Sequence, residues 1–155
     1  MSAPDNHQPG SRYAMDPELA TAIAPLAAAA AEAPMVARGD WRGLRESANS
    51  NLAFFASLGT PVAADVKTRT LSITADDGAE IPARLYTRSD ERPGSAVVYA
   101  HGGGMIAGHL DVYDTVIGAY VTATGVPFLS VGYRLSPEAQ GPRPAQDVHA
   151  AAAWL

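Results

Sequence analysis

The chain has 155 residues, 47% hydrophobic and 17% charged, with a formal net charge of -5 and no cysteine. Such a length and composition describe a globular domain with its own core and exclude a disordered chain. The acidic balance speaks against a nucleic-acid partner, and the lack of cysteine excludes disulfides, thiolate metal sites and a cysteine nucleophile.

Residues 1–15, with Pro4, Pro9 and Gly10, read as a flexible tail that includes His7. Asp16-Pro17-Glu18 opens a helix: a capping side chain, a proline at the first helical position, then an acid at the positive end of the dipole. That helix is predicted to reach about Ala33, with Pro25 as an interruption. A second helix covers about Asp40 to Ser57. Its apolar residues Trp41, Phe54 and Phe55 are expected to pack in a cap or core, or to line an acyl pocket.

From Val66 to Ile73 the pattern alternates and turns β-branched, which is strand chemistry. Asp76-Asp77-Gly78 signals a hairpin turn, Ile81 to Thr87 is the return strand, and Pro82 predicts that this strand lies near an edge. Arg88 to Gly94 is a polar loop. Ala96 to Ala100 is a short unbroken apolar run, expected to be a strand buried on both faces. A glycine loop follows, then a helix from Asp114 to Thr124 closed by Gly125, a buried-type strand from Val126 to Val131, a loop from Tyr133 to Pro142, and a helix from Arg143 to Leu155. Strand, helix, strand, helix in that order implies parallel crossovers.

The loop His101-Gly102-Gly103-Gly104 carries the chemistry. A run of glycines costs backbone entropy, so it marks positive φ or a backbone that must lie open. At the carboxyl end of a strand it can aim N–H groups at a ligand. Acyl transfer needs such donors, because the carbonyl oxygen becomes an anion in the tetrahedral intermediate.

Four collinear pieces resemble the hormone-sensitive-lipase-like esterases of the α/β-hydrolase fold. They are Val97 to Gly104; Gly108 to Asp114; Ser130 to Glu138; and Pro144-Ala145-Gln146-Asp147 before an alanine-rich helix ending in Trp154-Leu155. The resemblance implies the N-terminal part of that α/β fold: a helical cap segment, an antiparallel hairpin, then parallel β-α-β-α units. Residues 1–60 would be tail and cap, and 61–155 the N-terminal half of the core. It implies a carboxylic ester hydrolase acting on short- to medium-chain acyl esters. Gly103 and Gly104 would supply two oxyanion-hole N–H groups, and Gly102 and His101 would shape the loop, His101 not being the base. Tyr133 to Glu138 would buttress the site, with Arg134 and Glu138 in polar contacts. Met105 and His109 depart from the family pattern, which favours an aromatic and a small or acidic residue there.

No G-x-S-x-G occurs. The nearest approach, Phe128-Leu129-Ser130-Val131-Gly132, lies inside a strand pattern. In the family the order is Ser, Asp/Glu, His, so the whole triad is expected after Leu155. The chain is then expected to lack self-sufficient hydrolase activity and to depend on a complementary C-terminal half carrying the triad. Without that half's serine-bearing strand, the strand Ala96–Ala100 would be an unpaired edge.

Gly102-x-Gly104-x-x-Ala107 loosely fits a dinucleotide fingerprint, but the next strand ends in Gly132, Tyr133 and Arg134, without the ribose-binding acid. His101, His109, Asp111 and Asp114 could suggest a metal, but aspartates ahead of a helix are expected to be caps. His149 and Asp147 read as structural. A non-catalytic small-molecule-binding module of the same fold is the alternative function. No cofactor and no metal are expected, and the small-molecule partner is an ester substrate. The apolar run Ala27 to Ala31 falls far short of the roughly 20 residues that span a bilayer. The first residues lack a basic and apolar leader, so a cytoplasmic location is expected. A homo-oligomer is left open.

Overall fold

A computed structural model of the chain describes residues 15–32, 35–88 and 94–155. The tail reading for 1–14, the first helix's end at Ala33 and the loop residues 89–93 lie outside them. The chain divides into two compact units, Met1–Val36 and Ala37–Leu155.

In the first unit, helix α1 spans Pro17–Glu32. The Asp16 carboxylate accepts the N–H groups of Glu18 and Leu19 at 2.9 and 3.2 Å, which satisfies donors that a helix start leaves open. The expected interruption at Pro25 is absent: the helix continues through it.

In the second unit the order is α2 (Trp41–Ser57), β1 (Lys67–Thr74), β2 (Glu80–Thr87), β3 (Val97–Ala100), α3 (Asp114–Thr124), β4 (Phe128–Val131) and α4 (Arg143–Trp154). A short 3-10 turn, Leu110–Tyr113, precedes α3. Asp40 caps α2 by accepting the Gly43 N–H at 2.9 Å. Gly125 closes α3 in the left-handed region at φ 69°, a conformation that glycine adopts without a Cβ penalty.

The four strands form one sheet in the order β1-β2-β4-β3. β1 and β2 are an antiparallel hairpin, and β2 pairs antiparallel with β4. β3 and β4 pair in parallel from Val97↔Phe128 to Ala100↔Val131, joined by the crossover through α3. Two apolar clusters cover the two faces. One gathers Ile73, Ile81, Ala83, Leu129, Val131 and Ala151 of α4. The other gathers Val66, Tyr86, Ile117 and Val121 of α3, and Phe128. Ile81 and Leu129 are completely buried, and each contributes about 1.5–3 kcal/mol. Both clusters draw on β2 and β4, so these two central strands fix the layers.

Two sequence expectations are corrected, and the place of Phe54 and Phe55 is narrowed. Pro82 is not on an edge strand, because β2 is flanked by β1 and β4. It sits where the β2–β4 ladder ends: its carbonyl accepts the Gly132 N–H at 2.8 Å, and the reciprocal donor that proline lacks falls just past β4. The doubly buried strand is β4, not β3. All four residues of β4 are buried, whereas β3 is the margin of the described sheet, with Val97 and Ala100 exposed. Phe54 and Phe55 join neither core. They are 47% and 53% exposed and meet each other edge to face at 5.8 Å.

Candidate functional site

The glycine loop leaves the carboxyl end of β3 and returns to the 3-10 turn. Gly103 and Gly104 take φ of 123° and 61°. At Gly103 a Cβ would stand 2.0 Å from the Ala107 carbonyl oxygen, so no side chain fits. At Gly104 a Cβ would meet nothing within 4 Å, so conformation alone asks for glycine there. The Gly103 carbonyl accepts the N–H groups of Ile106 and Ala107 at 3.1 and 3.0 Å, which closes the loop into a tight turn. The N–H groups of Gly103 and Gly104 have no acceptor among the described residues. The N–H groups of Gly102 and Met105 are likewise open among the described residues.

Met105 is a non-glycine residue with positive φ, 62°. Such a conformation costs of order 1–3 kcal/mol and persists only where surroundings hold it. Here the Met105 carbonyl accepts the Ser136 N–H at 2.7 Å, which ties the loop to the segment Tyr133–Glu138.

His101 is 4% exposed and lies between two tyrosines, stacked on Tyr133 at 4.3 Å and on Tyr113 at 5.6 Å. Its Nδ1 stands 2.9 Å from the Gly102 carbonyl, and its own carbonyl accepts the Tyr133 hydroxyl at 2.6 Å. Burial holds its pKa below the ordinary value, so the ring is neutral at pH 7 and its Nδ1–H donates to Gly102. Gly108 packs against this arrangement: a Cβ there would meet the Gly102 oxygen at 2.5 Å and His101 Nδ1 at 2.6 Å. The geometry is that of a wedge fixing the loop. Among the described residues no carboxylate bonds to the ring to orient it as a base.

The buttress is a set of ion pairs. Asp147 is fully buried and takes both the Arg134 guanidinium, at 2.6–3.2 Å, and the Arg134 N–H, at 2.9 Å. Asp77, at the hairpin turn, pairs with Arg134 and with Arg143. Glu138 pairs with Arg45, whose guanidinium lowers the carboxyl pKa to about 2.

The sequence did not single out Arg45 or Asn49. One helical turn apart on α2, both reach the loop. Arg45 Nε donates to the Ile106 carbonyl at 2.6 Å and Nη2 to the Ser136 carbonyl at 2.8 Å, while Asn49 Oδ1 accepts the Gly108 N–H at 2.8 Å. Their i, i+4 spacing, which places both on one helix face, was the available signal.

Asp111 and Asp114 are not helix caps, because neither the 3-10 turn nor α3 has a side-chain cap. They hold Arg84 instead, at 2.8 and 2.5 Å, and Asp114 also accepts the Tyr86 hydroxyl. That guanidinium already supplies the charge a metal would bring. His109 is exposed, 3.8 Å from Asp111, and His149 is exposed on α4. Ser130, the nearest approach to an elbow serine, is completely buried in β4, and its hydroxyl has no partner among the described residues. Among the described residues no helix is long and apolar enough to cross a membrane.

The α/β-hydrolase fold family matches residues 97–155, the stretch that holds the loop and both parallel strands. The chain is 41% identical over 88 residues to an ethyl acetate hydrolase of Pseudomonas putida, covering 55% of this chain and 28% of that protein. It is 27% identical over 139 residues to hormone-sensitive lipase of Mus musculus, covering 90% of this chain and 16% of that protein. A solved hyperthermophilic esterase of the archaeon Pyrobaculum calidifontis superposes with a TM-score of 0.74 at 28% identity, over 92% of this chain and 44% of that one. The chain thus spans less than half the length of each of these relatives. Loop, parallel crossover and relatives agree: the chain has part of the α/β-hydrolase fold and is similar to the hormone-sensitive-lipase-like esterases.

Proposed function

We propose that the chain provides the oxyanion-hole loop of a serine carboxylesterase for short- to medium-chain acyl esters. The observation that carries this is the pair of open N–H groups, Gly103 and Gly104, held at positive φ at the end of a parallel strand. In this reading residues 1–60 are tail and cap and 61–155 the N-terminal half of the core. A serine, an acid and a base histidine come from residues beyond Leu155. The serine oxygen attacks the ester carbonyl while the histidine takes its proton, and the carbonyl oxygen becomes an anion. Gly103 and Gly104 N–H groups donate to that anion, each worth about 2.7–4 kcal/mol in the transition state. The C–O bond to the alcohol breaks, the histidine protonates the leaving oxygen, and water repeats the sequence on the acyl-enzyme. The reaction needs no cofactor.

The test is p-nitrophenyl acetate hydrolysis by this chain together with the proposed residues beyond Leu155, with intact mass measured before and after a serine-directed phosphonate. Expected is turnover that the phosphonate abolishes, with the adduct on a serine outside these 155 residues. Turnover that resists the phosphonate, or an adduct within the chain, refutes this assignment. Ester binding without turnover would favour the non-catalytic binding module of the same fold.

A further inference from the structure

Arg45 makes four hydrogen bonds of 2.6–2.8 Å. Two go to the carboxylate of Glu138, which is 55% exposed, and an ion pair of that kind contributes little by itself. The other two go to main-chain carbonyls on two different segments, Ile106 of the glycine loop and Ser136 of the buttress. These segments also bond to each other through Ser136 N–H and the Met105 carbonyl. Arg45 therefore straddles the junction that holds Met105 at positive φ. Asn49 secures the far end of the same loop at Gly108. Between them, α2 fixes the turn at Ile106 and at Gly108. A lysine could not replace this arginine: one ammonium cannot reach two carbonyls and a carboxylate in the directions a planar guanidinium spans.

We propose that Arg45, assisted by Asn49, is a positioning residue for the oxyanion-hole loop, keeping the Gly103 and Gly104 N–H groups turned out of the protein's own hydrogen bonding. The proposal rests on the esterase reading above. Arg45 touches no reacting atom. It acts through the Met105–Ile106 backbone, so its loss is a loss of kcat more than of KM.

The test uses protein labelled with nitrogen-15 glycine, as wild type, Arg45→Ala, Arg45→Lys and Asn49→Ala. Arg42→Ala, which removes a guanidinium stacked 4.2 Å over Trp41, is the control. Expected in Arg45→Ala are displaced Gly103, Gly104 and Gly108 amide resonances, partly restored by millimolar guanidinium. Arg45→Lys should displace them too, and Arg42→Ala should leave them in place. In ester hydrolysis, kcat of Arg45→Ala should fall roughly tenfold or more with KM little changed. Should Arg45→Ala fail to fold, Arg45→Lys and Asn49→Ala carry the same readouts. Unmoved loop amides, or an equal drop in kcat and rise in KM across all variants including Arg42→Ala, would overturn the proposal. Unmoved amides in a protein that hydrolyses esters sink the positioning role alone, whereas displaced amides in a protein without turnover sink the esterase reading.

Discussion

The Tyr133 hydroxyl donates to the His101 carbonyl at 2.6 Å across rings stacked at 4.3 Å, so a residue two places past β4 holds the residue that follows β3. Both are buried, and neither group has water to fall back on. Tyr133→Phe keeps the stacking and leaves the carbonyl unpaired. Unfolding in urea should show a loss of about 1–3 kcal/mol, the cost of an unmet buried acceptor. An unchanged midpoint would mean that the stacking alone holds the loop.

The two central glycines should differ under alanine substitution. Gly104→Ala meets open space and a left-handed φ, so it should cost about 1–2 kcal/mol. Gly103→Ala drives a methyl into the Ala107 carbonyl and must rebuild the turn. Thermal unfolding of the pair should therefore rank Gly103→Ala well below Gly104→Ala, and an equal ranking would contradict the turn described.

Asp147→Ala removes a fully buried carboxylate from Arg134. Breaking a buried pair costs about 3–5 kcal/mol, and the lower end applies because Arg134 is 32% exposed and keeps Asp77. Denaturant titration reads this directly. A loss under about 1 kcal/mol would show that Asp77 alone suffices.

Ser130→Ala takes away a buried hydroxyl without a partner, so stability should hold or rise by up to about 1 kcal/mol, and ester hydrolysis should be unaffected. Lost activity in a folded Ser130→Ala protein would instead make Ser130 the nucleophile.

Acid should weaken the fold in two stages. The pKa of His101 is depressed by burial, so the folded state takes up a proton less readily than the unfolded chain, and stability falls as pH drops below the ordinary 6.5. The Glu138 carboxyl is held at about 2 by Arg45, so its share is intact above the ordinary 4.5 and is lost as pH falls toward 2. Melting temperature against pH should show both declines in wild type. In Glu138→Gln the second decline should shrink but not vanish, because Arg134 holds Asp77, and Ser72 and Thr74 hold Glu80, below the ordinary carboxylate range.

The legible parts of the sequence were those governed by local rules. Asp40 and Gly125 bound their helices because capping depends on a few neighbouring residues. The Asp76-Asp77-Gly78 turn and the glycine loop were read for the same reason. Spatial order was less accessible. Pro82 pointed to an edge, and only the place where β4 leaves the ladder explains how an inner strand tolerates it. The aspartates at 111 and 114 looked like caps because their true partner, Arg84, lies 27 and 30 residues away. Arg45 was illegible on similar grounds: its contacts lie 61 to 93 residues distant, and an arginine on an amphipathic helix looks like a solvated charge.

The strand order β1-β2-β4-β3 also bears on how the chain acquires its shape during synthesis. The hairpin can close once residue 87 has emerged, since all its pairing is local. Val97–Ala100 is made next, but has no ladder to join until Phe128–Val131 follows some thirty residues later. For that interval the glycine loop hangs from a strand without a register. Its geometry is settled late, by the arrival of β4 and of Tyr133 two residues after it, so a nascent chain that has emerged only as far as residues 101–127 would display the hairpin but not the loop.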